Sequence, residues 1–109
     1  PLSRDFVQQA YLEAASEYGI SYPSMAARVS DYYSMVAEPG ETEHEIVKTG
    51  IKKAIEACGA MNIPLLLVPN FEKSAIKGYR DFDIVVDVMK WACDLGVQNK
   101  VIIAAENTL

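Results

Sequence analysis

The chain has 109 residues, a length that suits one domain with a single hydrophobic core. Apolar residues make up 50% of it and charged residues 23%, which is typical of a globular protein and not of a disordered one. The net charge of −5 argues against nucleic acid as the main partner, because binding a phosphate backbone requires clustered lysines and arginines.

The sequence contains neither an apolar run of about 18 residues nor a basic-then-apolar signal segment at its start. We therefore expect a cytoplasmic protein with no membrane partner. Pro1 is not a natural first residue, so we also expect that an upstream piece has been removed. Cys58 and Cys93 each lie in an apolar helical pattern, which favours two buried free thiols over a disulfide.

The first predicted elements are an amphipathic helix and a short strand. Ser3 is the expected N-cap, apolar residues recur at helical spacing over residues 6–18, and Gly19 marks the end of the helix. We expect this helix to lie on a sheet. The strand is predicted near residues 20–26, where Pro23 limits its pairing.

A polar loop and a long helix follow. The loop, residues 28–40, carries Tyr32 and Tyr33, which either stack on a sugar or base or cover the top of the core; we favour the second interpretation. The helix is predicted over residues 42–61, with Gly50 where a neighbour approaches closely. His44 has no partner at metal-ligand spacing, so we expect it at the surface.

The second half of the chain contains two clear strands. Residues 62–71 form the first, whose carboxyl end is marked by Pro69 and Asn70, and a loop follows it. A third helix is predicted from Asp81 or Asp83 to Gly96. The unbroken apolar run 101–105 then indicates a strand buried on both faces, as in a parallel sheet.

Three helices alternating with three strands predict right-handed crossovers and a parallel α/β sheet. A (β/α)8 TIM barrel takes about 250 residues, so 109 residues correspond to about three and a half βα units. We expect residues 1–109 to be one segment of an incomplete TIM barrel, since a flavodoxin-like domain needs about five strands. Two unpaired sheet edges predict self-association or pairing with the remainder of the barrel.

Candidate site residues follow the last two strands. Glu106 and Asn107 end the final strand, where parallel α/β folds place their chemistry, although a solvated strand end is an equal alternative for Glu106. Asn107 is expected to orient Glu106 or reach the substrate. Asn70, Phe71 and Lys73 are candidates to line a substrate pocket, with loop closure as the alternative for each.

Several of these motifs together carry a resemblance to a known family. The strand after Ile63-Pro64, the helix with Trp91-Ala92 and Gly96-Val97, and Ala105-Glu106-Asn107 resemble the xylose-isomerase-like sugar phosphate isomerase/epimerase superfamily. Phe71 and Lys73-Ser74, which lie between that strand and that helix, are part of the same resemblance. By this resemblance, the chain corresponds to a TIM barrel from its second helix to its fifth strand.

The resemblance implies a metal-dependent reaction on a sugar or sugar phosphate. It makes Glu106 a ligand to a divalent metal and a participant in proton transfer next to a keto-sugar carbonyl. Oxygen ligands suit Mn²⁺ or Mg²⁺, with Co²⁺ or Zn²⁺ tolerated. The remaining ligands of the family, an Asp, a His and a second Glu, would lie beyond Leu109, so the isolated chain is expected to be inactive.

Three alternatives stay open at this point. The same superfamily includes apurinic-site endonucleases, against which the acidic composition weighs, and lyases or deglycosylases that use the same proton abstraction. The third alternative is a catalytically inert barrel fragment that pairs its open edges with another copy.

Overall fold

The computed structural model describes residues 2–107, and only the backbone of the last of these. Within that range the elements are α1 (Asp5–Tyr18), β1 (Met25–Ala26), α2 (Val29–Tyr32), α3 (Thr42–Met61), β2 (Leu65–Asn70), a 3-10 helix (Glu72–Ser74), α4 (Tyr79–Asn99) and β3 (Ile102–Asn107). The described strands form one parallel sheet in the order β1-β2-β3. The predicted α/β class and the parallel pairing are confirmed.

One face of the sheet is covered by the two long helices. Leu66 and Val68 of β2 point toward α3 and α4 and are fully buried. They pack with Ile51 and Ile55 of α3 and with Val88 of α4. Each such side chain contributes about 1.5–3 kcal/mol on burial, so this layer is the main source of stability.

The opposite face of the sheet has no covering element among the described residues. The register pairs Leu65 with Ile102 and Leu67 with Ala104, which places these four side chains on that face. Ile102 is 67% exposed and the other three are half-buried. The expectation that the last strand is buried on both faces is therefore wrong in this structure, because both long helices pack on the same side.

The helix ends differ from prediction in two places. Gly19 ends α1 with a φ of 66°, as predicted, but Arg4 and not Ser3 is the N-cap, and its side chain makes no capping hydrogen bond. α4 begins at Tyr79 and continues past Gly96, ending where Lys100 takes a left-handed φ of 60°. Gly96 instead permits close packing, since a Cβ there would lie 2.5 Å from the Val101 carbonyl oxygen.

The amino-terminal third departs most from prediction. α1 packs on α3 and not on the sheet, and Phe6 and Tyr18 are 70% and 73% exposed. The strand predicted over residues 20–26 was too long, since only the two residues of β1 form a strand there. The predicted loop 28–40 contains the short helix α2. Gly50 does allow close approach, because a Cβ there would lie 2.8 Å from Val29 Cγ2.

Two single-residue expectations are corrected as well. His44 is buried, and its Nδ1 lies 3.0 Å from the Ala37 carbonyl oxygen, which joins the start of α3 to the preceding loop. Both cysteines are free, but Cys58 is buried whereas Cys93 is exposed. In the part of the chain that is described, no helix has both the length and the apolar character needed to cross a bilayer.

Candidate functional site at the strand carboxyl ends

A cleft of about 530 Å³ lies where the strands of the sheet end, on the uncovered face. We call it the strand-end cleft. Its walls come from the segments that follow β1 and β2 and from the end of β3, because the carboxyl ends of parallel strands meet at one edge of a sheet. The lining residues are Ala26, Arg28, Asp31, Tyr32, Pro69, Phe71, Glu72 and Glu106.

Glu106 reaches this cleft because of its position in β3. It pairs with Pro69 in the register and shares a face with Ile102 and Ala104, which lie four and two residues earlier. Its side chain is half-buried. The chain therefore holds a carboxylate on a rigid strand, at the mouth of a concave site and partly shielded from water.

Arg28 and Asp31 form the wall on the β1 side. Arg28 is the N-cap residue of α2, and its Nε–H donates to Asp31 Oδ2 three residues later. This hydrogen bond and the negative charge of Asp31 raise the pKa of Arg28 further above its usual high range. The Asp31 side chain is only 9% exposed, and its second oxygen, Oδ1, is buried with no hydrogen-bond partner among the described residues.

Two buried serines join the walls of the cleft. The Ser30 hydroxyl donates to the Pro69 carbonyl oxygen at 2.8 Å, and the Ser74 hydroxyl lies 2.5 Å from the Ser30 carbonyl oxygen. Ser74 Oγ also accepts from the Met35 backbone N–H at 2.9 Å. Both serines are fully buried. These bonds tie α2, which carries Asp31, to the 3-10 helix that follows β2.

The structure separates the candidate residues that the sequence predicted. Glu106 and Phe71 line the strand-end cleft, whereas Lys73 is exposed on the 3-10 helix and is not part of its lining. Asn70 is buried on the helix-covered face, opposite to Glu106, and lines a groove of about 710 Å³ between α4 and β3. The side chain of Asn107 lies outside the described part of the chain.

Four residues that line the cleft were not predicted as site residues: Arg28, Asp31, Tyr32 and Glu72. Tyr32 is 64% exposed, so the interpretation that it covers the core is wrong. Opposite charges three residues apart at positions 28 and 31 are the signal that was available, since this spacing brings side chains together in one helical turn. Nothing in the sequence indicates that Glu72 takes a φ of 50°, which turns the chain at the end of β2.

The chemistry of the lining suits a cation or a neutral polar ligand better than an anion. Three carboxylates and one guanidinium give the cleft a formal charge of −2. Within the described residues no three His, Cys, Asp or Glu side chains come close enough together to hold a metal ion. The carboxylate of Glu106 fits a hard divalent cation as one member of a ligand set and no more than that.

No protein-family model matches the chain. It is similar to the 2-epi-5-epi-valiolone 7-phosphate 2-epimerase of Actinoplanes sp. (strain ATCC 31044 / CBS 674.73 / SE50/110), with 24% identity over 95 residues. The match covers 87% of this chain and 33% of that protein, so the chain spans about a third of the length of the curated relative. This distant and partial likeness to an epimerase is consistent with the resemblance found in the sequence.

Proposed function

We propose that this chain is part of a sugar phosphate epimerase or isomerase in which Glu106 takes part in proton transfer. The observation that carries the proposal is the position of Glu106, half-buried at the carboxyl end of β3 and lining the strand-end cleft. The distant likeness to a phosphate-substrate epimerase supports the class of reaction. The substrate is then a small sugar or sugar phosphate.

The proposal includes a larger fold, a TIM barrel of which this sheet supplies three consecutive strands. Support comes from the parallel order β1-β2-β3 with both long helices on one face. The apolar uncovered face would be the interior of the barrel, and the strand-end cleft would belong to its catalytic end. The distant relative is about three times as long as the matched region, which leaves room for the other strands.

Proton abstraction next to a carbonyl explains why a carboxylate is needed at this position. Glu106 would accept the proton from the carbon beside the ketose carbonyl, and the electrons of the broken C–H bond would form a C=C bond while the carbonyl oxygen gains negative charge. Return of a proton to the opposite face of the same carbon yields an epimer. Return to the former carbonyl carbon yields an isomer, with the hydroxyl proton of the neighbouring carbon moving to the former carbonyl oxygen. The strand holds Glu106 in position for the proton abstraction that both outcomes share.

A divalent metal is part of the proposal, and Glu106 would be one of its ligands. When bound, such a cation stabilises negative charge on the substrate oxygens. Oxygen ligation favours Mn²⁺ or Mg²⁺, with Co²⁺ or Zn²⁺ as further candidates. Because Glu106 supplies only one ligand, the others must come from outside the described residues, and we propose that this chain alone is inactive.

Replacing Glu106 tests the proposal in the full-length protein. Glu106→Gln keeps the shape of the side chain but removes its ability to accept a proton, so we expect turnover to fall about 100-fold to 10,000-fold. Exchange of the C–H hydrogen for deuterium in a panel of ketoses and their terminal phosphates, with Mn²⁺ or Mg²⁺ added, measures the step directly by NMR.

The matched control is Glu17→Gln, which makes the same chemical change at an exposed position on α1. We expect this variant to retain full exchange activity. Glu106→Gln protein that exchanges hydrogen as fast as the unchanged protein would rule out Glu106 as the proton acceptor.

A further inference from the structure

Asp31 carries a hydrogen-bond acceptor that nothing else in the described residues satisfies. Its Oδ2 accepts from Arg28 Nε–H, but its Oδ1 is buried and has no partner. A buried carboxylate oxygen without a donor is costly, so natural structures satisfy nearly all such atoms. Because Asp31 lines the strand-end cleft, a ligand bound in the cleft could donate the hydrogen bond that Asp31 Oδ1 lacks.

Arg28 places unused donors beside this acceptor. A guanidinium has five N–H donors, and the bond to Asp31 that the structure shows uses Nε–H. The Arg28 side chain is 69% exposed and lines the same cleft. An acceptor beside a set of fixed donors matches neighbouring hydroxyl groups, each of which donates one hydrogen bond and accepts others.

The other walls of the cleft suit the carbon chain of a sugar. Tyr32 is 64% exposed and Phe71 is half-buried, and together they offer aromatic surface to C–H groups. The carboxylates outnumber the single guanidinium by two, which disfavours a phosphoryl group in the same space. The part of a substrate that fits here is therefore uncharged and rich in hydroxyl groups.

We infer that Arg28 and Asp31 form a hydroxyl-recognition subsite that binds the polyol portion of a ketose, while any phosphoryl group of the substrate lies outside the strand-end cleft. The choice of a ketose rests on the proposed function. In this assignment Asp31 Oδ1 accepts from one hydroxyl, the free guanidinium N–H groups donate to its neighbour, and Glu106 acts at the carbonyl end.

Calorimetric titration of the full-length protein tests this assignment. The probes are free ketoses of five to seven carbons, their terminal phosphates, and inorganic phosphate alone. We expect Asp31→Asn and Arg28→Met each to weaken binding of free ketoses by about tenfold to a hundredfold, because each removes a charged hydrogen-bonding group. Binding of inorganic phosphate should not change in either variant.

A second pair of residues provides matched controls. Arg80 donates to Glu38 in an ion pair on the surface, away from the cleft lining. Arg80→Met and Glu38→Gln make changes of the same kind, and we expect both to bind ketoses as the unchanged protein does. In the hydrogen-exchange assay the Arg28 and Asp31 variants should raise KM with kcat within about threefold, since they act on binding and not on proton transfer.

The outcomes separate this inference from the proposed function. If ketoses bind all variants equally, the subsite assignment fails and the role of Glu106 is untouched. If Arg28→Met abolishes binding of inorganic phosphate, Arg28 is a phosphate contact and the assignment is overturned. If no ketose binds or exchanges hydrogen in the unchanged protein, the proposed function itself fails. Arg28→Lys keeps a positive charge beside Asp31 but lacks the other guanidinium donors, so it remains decisive should Asp31→Asn disturb α2.

Discussion

Burial makes the two cysteines chemically different although both lie in apolar helical patterns. Cys58 is fully buried on α3, with its Sγ 3.9 Å from Met25 Sδ, and loss of solvation raises the pKa of its thiol to about 11. At pH 8 only about one Cys58 thiol in a thousand is then ionised, and the thiolate is the reactive form. Cys93 is exposed on α4.

We therefore expect iodoacetamide at pH 8 to alkylate Cys93 in the folded protein, and Cys58 only after unfolding. Peptide mass spectrometry of protein alkylated with and without urea measures both sites. Cys93→Ser serves as the control, because this variant should take up no label until it is unfolded. Equal labelling of the two cysteines in folded protein would contradict the burial of Cys58.

For single residues near a strand end, the sequence predicts that they end the strand but not which face of the sheet they occupy. Glu106 and Asn70 were both identified as strand-end residues, and both lie at the carboxyl edge of the sheet. They point to opposite faces, because side chains alternate along a strand and the register pairs Glu106 with Pro69 and not with Asn70. Register depends on packing between elements, which a single sequence does not reveal.

Among the elements, α2 and the 3-10 helix depend on each other through Ser74. Its hydroxyl accepts from the Met35 N–H and lies within hydrogen-bond distance of the Ser30 and Tyr33 carbonyl oxygens. Ser74 is fully buried, and these hydrogen bonds join residues 30–35 to a segment about 40 residues later in the chain. The packing of α2 against the 3-10 helix therefore depends in large part on this one small polar side chain.

Ser74→Ala should lower the free energy of unfolding by about 1–3 kcal/mol, because it leaves buried backbone groups without partners. Urea denaturation of the full-length protein measures the change. Ser21→Ala is the matched control, since Ser21 is exposed and outside any helix or strand. Equal stability of the two variants would show that the Ser74 bonds contribute nothing.

The predictability of each element follows from the strength of its local signals. The limits of α3 were predicted correctly because its apolar residues repeat over five turns. β1 was predicted too long, because only Met25 and Ala26 pair with β2. The packing of α1 on α3 was missed since an amphipathic pattern shows that a face is buried but not what covers it.

For the whole molecule, the decisive feature is the uncovered face of the sheet. Leu65, Leu67, Ile102 and Ala104 present an apolar surface, with Ile102 67% exposed. Exposed apolar surface beside open strand edges favours association. In the proposed barrel this surface is interior, whereas in the alternative of an inert fragment that pairs its open edges with another copy, the surface beside those edges would be covered by that copy.

Ile102→Lys distinguishes the barrel from the fragment. If further strands cover this face in the full-length protein, the variant buries an unpaired charge, and we expect the free energy of unfolding to fall by about 2–5 kcal/mol. Val97→Lys is the control: Val97 is 80% exposed on α4, and its replacement should change stability by no more than about 0.5 kcal/mol. Urea denaturation measures both.

The same pair of variants tests residues 1–109 alone. We expect the isolated chain to self-associate through the apolar face, and Ile102→Lys, unlike Val97→Lys, to shift it toward the 12.0 kDa monomer in light scattering. If Ile102→Lys leaves the stability of the full-length protein unchanged but abolishes association of the isolated chain, this face serves contacts between copies. Loss of stability in the full-length protein would instead place Ile102 inside a closed barrel, as the role proposed for Glu106 requires.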